Sequence, residues 1–232
     1  MPSPPALSPS AVVGDALSLY GRFWKHFAGV GVTIFFTVAI AALLLSFAGA
    51  AGLVIASVIS LAGSIVLTGA LVTAVSDARD GRIDLSVGET ISRAWPFILP
   101  LLGAGILASI GLLIGFILLI IPGLILMTFW FVLGPCIVLE RTGVLDAFSA
   151  SRRYVRGHAW TVFGVALLSL LVVVIAGAVV GVVLAWLPVW LSQFLTTLVQ
   201  GAVFAPFYAI VVTLTYFSLA DARAPEPPAS TS

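Results

Sequence analysis

Apolar residues along this chain fall into six long runs, near 27–48, 53–76, 97–121, 123–139, 159–185 and 191–219, with the charged positions gathered between them. A helix needs about 20 predominantly apolar residues to cross a hydrocarbon core of about 30 Å, so each run predicts a transmembrane helix. The fourth run is short and the sixth long, a difference that tilt or a kink at Pro206 absorbs. Turn residues divide the runs in pairs: Gly-Ala-Ala-Gly at 49–52, Pro122-Gly123, and Trp-Leu-Pro-Val-Trp at 186–190. Connections this tight predict an all-α polytopic membrane protein of six spans in three helical hairpins.

Between hairpins the pattern changes to that of short amphipathic helices. On a wheel starting at Leu145, at about 100° per residue, Val144, Phe148, Ser151, Tyr154 and Val155 gather on one side, and Arg152, Arg153 and Arg156 on the other. Near the N-terminus, Val12, Ala16, Leu19, Tyr20, Phe23 and Phe27 share an arc, opposite Asp15, Ser18, Arg22 and Lys25. A third segment opens with a capping-box pattern at Ser86 and Glu89 and ends in Arg93-Ala94-Trp95. Each predicts a helix lying in the membrane interface on the cytoplasmic side. The shared order of acid, apolar-periodic run, base, aromatic and hairpin has two readings. It is a threefold repeat, or it is what any span acquires when an inner loop precedes it.

Composition explains where such a chain is at home. Hydrophobic residues make up 61% and charged residues 8%, with a mean hydropathy of +1.24, whereas a soluble domain carries about 25% charge to face water. A formal charge of +1 gives no support to a nucleic-acid partner. All ten Lys and Arg residues lie in the N-terminal segment, in 77–93, in 140–156 or at the C-terminus, and the nine acids lie there too. With six spans these regions share one side of the membrane. Because Lys and Arg mark the inner side, both termini are expected in the cytoplasm. Trp186 and Trp190 fit an outer aromatic belt, Trp24, Trp95 and Trp160 an inner one, and Trp130, mid-span, reads as packed. Nine arginines against one lysine, among many Ala, Val and Gly, point to a GC-rich bacterial genome and so to a bacterial plasma membrane. Residues 11–223 are expected to form a single membrane domain, flanked by disordered Pro-rich tails at 1–10 and 224–232. The first has no basic segment of the kind a cleavable signal peptide carries.

Candidate chemistry is sparse. No HExxH, CxxC or GxSxG is present, and the two histidines, His26 and His158, are far apart, so no catalytic, cofactor or metal site is expected. Cys136, the single cysteine, reads as an inert packing residue. Gln200 is the most polar mid-span side chain, expected to bond to a neighbouring helix. Glu140 closes the fourth span, where the helix dipole disfavours a negative charge; it calls for a partner, Arg141 or an arginine of the following helix. Gly111 with Gly115, Gly177 with Gly181, and the series Ser60, Ser64, Thr68 suit close helix approach, within one chain or between copies. Pro96, Pro100, Pro135 and Pro206 suit broken helices.

Three stretches resemble a known family. The residues Pro122, Gly123, Leu139, Glu140, Gly143, Ala147, Ser151, Arg152, Gly157 and Trp160, in that order, with Tyr216 and Arg223 near the end, are similar to the glycerophosphoryl diester phosphodiesterase membrane-domain family and its bacterial relatives. The resemblance spans about two thirds of the chain and implies a six-span bacterial membrane domain. In fused members of that family the phosphodiesterase is a separate soluble barrel with its own metal ligands, for which this chain has no residues, so no enzyme activity is expected.

The sequence therefore reads as a non-enzymatic plasma-membrane protein with a lipid- or partner-binding, scaffolding role in the envelope; the alternative is a small transporter, lipid flippase or channel. Candidate contacts for anionic lipid headgroups or a partner are Arg152, Arg153, Arg156, Trp160, Arg22 and Lys25. Candidate structural or gating residues are Glu140, Gln200, Pro122 and Gly123. Expected partners are membrane lipids on the cytoplasmic face; the alternatives are a membrane protein or a second copy of the chain.

Overall fold

Proline, capping and glycine chemistry decide where each apolar run becomes helix. The computed structural model describes residues 8–78 and 84–223, without the side chain of Ser46. The tails expected at both ends lie, apart from 8–10, outside the described residues, as do Arg79 and Arg82. Ser8 accepts a hydrogen bond from the Ala11 amide at 3.3 Å, and Pro9 takes the first helical position, where its missing N–H has no partner to lose. Helix α1, Pro9–Ser46, thus begins inside the expected tail and carries the amphipathic segment straight into the first span. A kink at Phe23 (φ −117°, ψ 26°) separates the two.

The chain continues through α2, Gly49–Asp77; α3, Val87–Ala94; α4, Ile98–Leu118; α5, Ile120–Phe129; α6, Leu133–Glu140; α7, Val144–Val155; α8, Ala159–Leu184; α9, Val189–Val199; and α10, Ala205–Asp221. A 3₁₀ turn at Trp95–Phe97 joins α3 to α4, and a π-helical turn at Gln200–Phe204 joins α9 to α10. The capping box at the start of α3 is formed as expected: Glu89 Oε2 accepts from the Ser86 amide at 2.8 Å, and Ser86 Oγ accepts from the Glu89 amide at 3.3 Å.

One turn is displaced. Pro122 and Gly123 do not form the second hairpin's bend; both lie in the first turn of α5, and the reversal is made by Leu119 in an extended conformation (φ −167°, ψ 151°). Pro122 is tolerated there because first-turn amides have no acceptor within the helix. Gly123 is needed because the Phe116 ring lies where a Cβ would sit, 2.5 Å away.

Among the described residues six helical stretches, counting the interrupted ones as single spans, are long and apolar enough to cross a membrane. No strand occurs among the described residues, and the chain is an all-α polytopic membrane protein. The sixth span is the most buried, with 56% of the residues in an 18-residue apolar stretch buried, and the fifth the least, with 6%. The packed core draws on Ala16 and Phe27 of α1, Leu71 and Val75 of α2, Ile137 of α6, Val155 of α7 and Ile210 of α10. Both ends of the described chain meet at one end of the bundle. Pro9 rests on Gly164 in the first turns of α8, and Arg223 bonds to the last turn of α7. At the opposite end, the α4–α5 tip and Trp186 stand clear of the fold.

Candidate functional site

Helix α7 owes its position to three polar ties. Ser151 is a hydroxyl on the otherwise apolar face of the wheel. Fully buried, it donates to the Phe129 carbonyl at 2.8 Å, an acceptor orphaned where α5 ends. The Arg223 guanidinium donates to the carbonyl of Arg153 and, at 3.4 Å, to that of Arg156, while lying 5.5 Å from the Tyr154 ring centre. It places a cation at the α7 C-terminus, the end the helix dipole favours. The third tie is Tyr216, whose hydroxyl donates to Glu140 Oε1 at 2.8 Å and whose ring packs edge-on to Tyr154 at 5.1 Å. Burial, and then hydrogen bonding to Glu140, pushes the Tyr154 phenol above its ordinary value and keeps it a protonated donor.

These ties turn the arginines outward. Ala147, Ala150, Ser151 and Val155 are buried, whereas Arg152, Arg153 and Arg156 are exposed, as the wheel predicts. Arg152 lies over the Phe129 ring, 5.8 Å from its centre. That ring forms the lip of an apolar groove of about 350 Å³ between α5 and α8, floored by Ile121, Leu124, Ile125 and Phe163 and closed by Trp160. Trp160 is 86% exposed and packs edge-on to Phe163 at 6.2 Å. The arrangement is a hydrocarbon-lined slot with one guanidinium, that of Arg152, stacked on a ring of its wall. Such a slot suits a chain with a negative head.

Not every expected site residue joins it. Arg22, which lies 5.2 Å from the Phe23 ring centre, and the exposed Lys25 sit on α1 and do not line the groove. Glu140 takes the Tyr216 hydroxyl as its partner in place of the expected arginine. Gln200 opens the π turn, and its side chain is exposed with no hydrogen bond to any described residue, so the expected interhelical bond is not made. Pro122 and Gly123 have the structural role described above. Among the described residues no cluster of three or more His, Cys, Asp or Glu side chains is placed to hold a metal ion. The groove and the Tyr154–Tyr216 pair escaped the sequence reading, because each joins residues far apart in the chain. Ser151, a polar residue on a buried face, was the available signal. The chain matches no protein-family model, no curated protein and no solved structure.

Proposed function

We propose that this is a non-enzymatic integral protein of a bacterial plasma membrane, with both termini cytoplasmic, that binds anionic phospholipid at the α7 face and uses it for a lipid- or partner-docking, scaffolding role in the envelope. The observation that carries the reading is Arg152 over the ring of Phe129, a residue of the α5–α8 groove wall, which brings a cation next to an apolar slot of about 350 Å³. Placement in the glycerophosphoryl diester phosphodiesterase membrane-domain family is part of the same proposal. It is supported by the meeting of three residues of the resemblance: Glu140 with Tyr216, and Arg223 with the last turn of α7.

Each cation near anionic headgroups contributes about 1 kcal/mol. Replacing Arg152, Arg153 and Arg156 together by Ala should lower the preference for phosphatidylglycerol over phosphatidylcholine on the order of a hundredfold. Native mass spectrometry of the lipid retained on the purified protein reads this directly, and an unchanged preference sinks the proposal. A second reading, a small transporter, flippase or channel, draws on a chamber beside Gln200. It requires solute or lipid flux in proteoliposomes that Gln200→Leu abolishes.

A further inference from the structure

A chamber of about 530 Å³ lies at mid-depth between α1, α2, α6, α8 and the sixth span. Its walls are mainly apolar, with Phe35, Leu71, Phe131 and Phe204 prominent, and four polar side chains interrupt them: Ser64, Thr68, Gln200 and Tyr208. None of the four is charged, and each is exposed despite its mid-span position. Their hydrogen-bonding states differ in a way that specifies an occupant. Ser64 donates to the Ser60 carbonyl at 2.9 Å and Thr68 to the Ser64 carbonyl at 2.8 Å, so both protons are committed and the oxygens face the chamber as acceptors. The Gln200 amide and the Tyr208 hydroxyl bond to no described residue and remain open donors.

The fold maintains this geometry. Just after the π turn, Pro206 has no N–H to offer the Ala202 carbonyl four residues back, and Tyr20 satisfies that carbonyl by donating to it at 2.7 Å. Gly31 lets the turn come close, since a Cβ on it would overlap the Gly201 carbonyl oxygen. A second cleft, of about 230 Å³, shares Ser64, Thr68 and Gly134 with the chamber and lies between α2, α4 and α6. At its edge is Gly105, exposed and with open space beside it.

Open donors inside hydrocarbon carry a cost that bulk water cannot relieve at that depth. An occupant must therefore offer an acceptor to Gln200 and Tyr208 and a proton to Ser64 or Thr68. A hydroxyl does both. A charged head is excluded, because the lining supplies no countercharge at mid-depth. The volume falls within the range of small-molecule sites, about 300–1,000 Å³, and the side cleft gives a chain a route to lipid. We propose that the chamber is a binding site for an uncharged, hydroxyl-headed single-chain lipid. It differs from the α7 groove in place and in head charge, so either site can fail alone.

The test is binding of tritiated oleyl alcohol to the full-length protein in phosphatidylcholine nanodiscs. Binding should saturate, and unlabelled oleyl alcohol should displace it. 1-Octadecene, which keeps a chain and lacks the head, and oleyl phosphate, which adds charge, should each compete at least about tenfold more weakly. Gln200→Leu with Tyr208→Phe should weaken binding about tenfold. Ser64→Ala with Thr68→Val should do the same without touching the sixth span, and decides the matter if the first pair does not fold. Non-saturable binding would show partition into the bilayer and no site. Equal competition by octadecene would show an apolar void, and equal competition by oleyl phosphate a surface site. Any of these, or full affinity in every folded variant, overturns the proposal. Phosphatidylglycerol preference, read in discs that contain both phospholipids, reports on the α7 groove separately.

Discussion

Glu140 stands at a helix C-terminus, where its charge meets unpaired carbonyls, and a phenol from the last span relieves it. The need for a partner was legible in the sequence. Its identity was not, because Tyr216 is 76 positions away and a neutral hydroxyl leaves no mark in a search for countercharges. Arg141, the neighbour that sequence favours, has another constraint: it holds left-handed backbone geometry (φ 53°, ψ 37°), the only positive φ outside glycine among the described residues. That conformation costs a non-glycine residue about 1–2 kcal/mol. Arg141→Gly should therefore raise stability by about that amount. Tyr216→Phe, which strips a hydrogen bond from a carboxylate, should lower it by about 1.5–3 kcal/mol. Chemical unfolding in detergent measures both, and a loss of stability in Arg141→Gly would instead make its guanidinium the true partner of Glu140.

At the level of elements, local chemistry was readable where it depends on neighbours in sequence. The capping box of α3 and the solvent face of α7 are cases in point, and both match the structure. Prolines were readable as interruptions but not as positions. Pro9, Pro100, Pro122, Pro135 and Pro206 each fall within the first turn of a helix, after the break and not at it. The paired glycines show the limit of spacing alone. Gly111 accommodates the Trp130 indole, whose Cη2 would lie 2.5 Å from a Cβ, and a Cβ on Gly115 would lie 3.1 Å from the Gly123 Cα. Gly181 has open space beside it, although its spacing from Gly177 is the same. Gly111→Leu should thus destabilise the α4–α5 hairpin by about 1–3 kcal/mol through overpacking. Gly181→Leu should leave the thermal transition in place; equal effects of the two would contradict this assignment.

For the whole molecule, hydropathy locates the spans and runs opposite to their burial. The fifth span is the most apolar, at 3.0, and only 6% buried, whereas the sixth is the least apolar, at 1.8, and 56% buried. In lipid the outer surface uses the same residue types as a core, so hydropathy reports contact with hydrocarbon and not contact with protein. Small and hydroxylated residues, as at Thr213 and Thr215, mark the interior instead. The α7 groove and the mid-depth chamber stayed hidden for the same reason, since each is a gap between helices that individually read as plain spans. Charge placement was the strongest long-range signal. Ionised groups are confined to the two ends of the chain and the segments between hairpins, because carrying them through hydrocarbon is costly. With Cys136 buried and replaced by Ser, cysteines at the exposed positions Ser10, Trp186 and Ala222 provide three reporters of sidedness. A membrane-impermeant maleimide applied to spheroplasts should label the cysteine at 186 at once, and those at 10 and 222 only after the membrane is opened. Labelling of either terminal position in sealed spheroplasts, or protection of position 186, would contradict the six-span arrangement with its basic face in the cytoplasm.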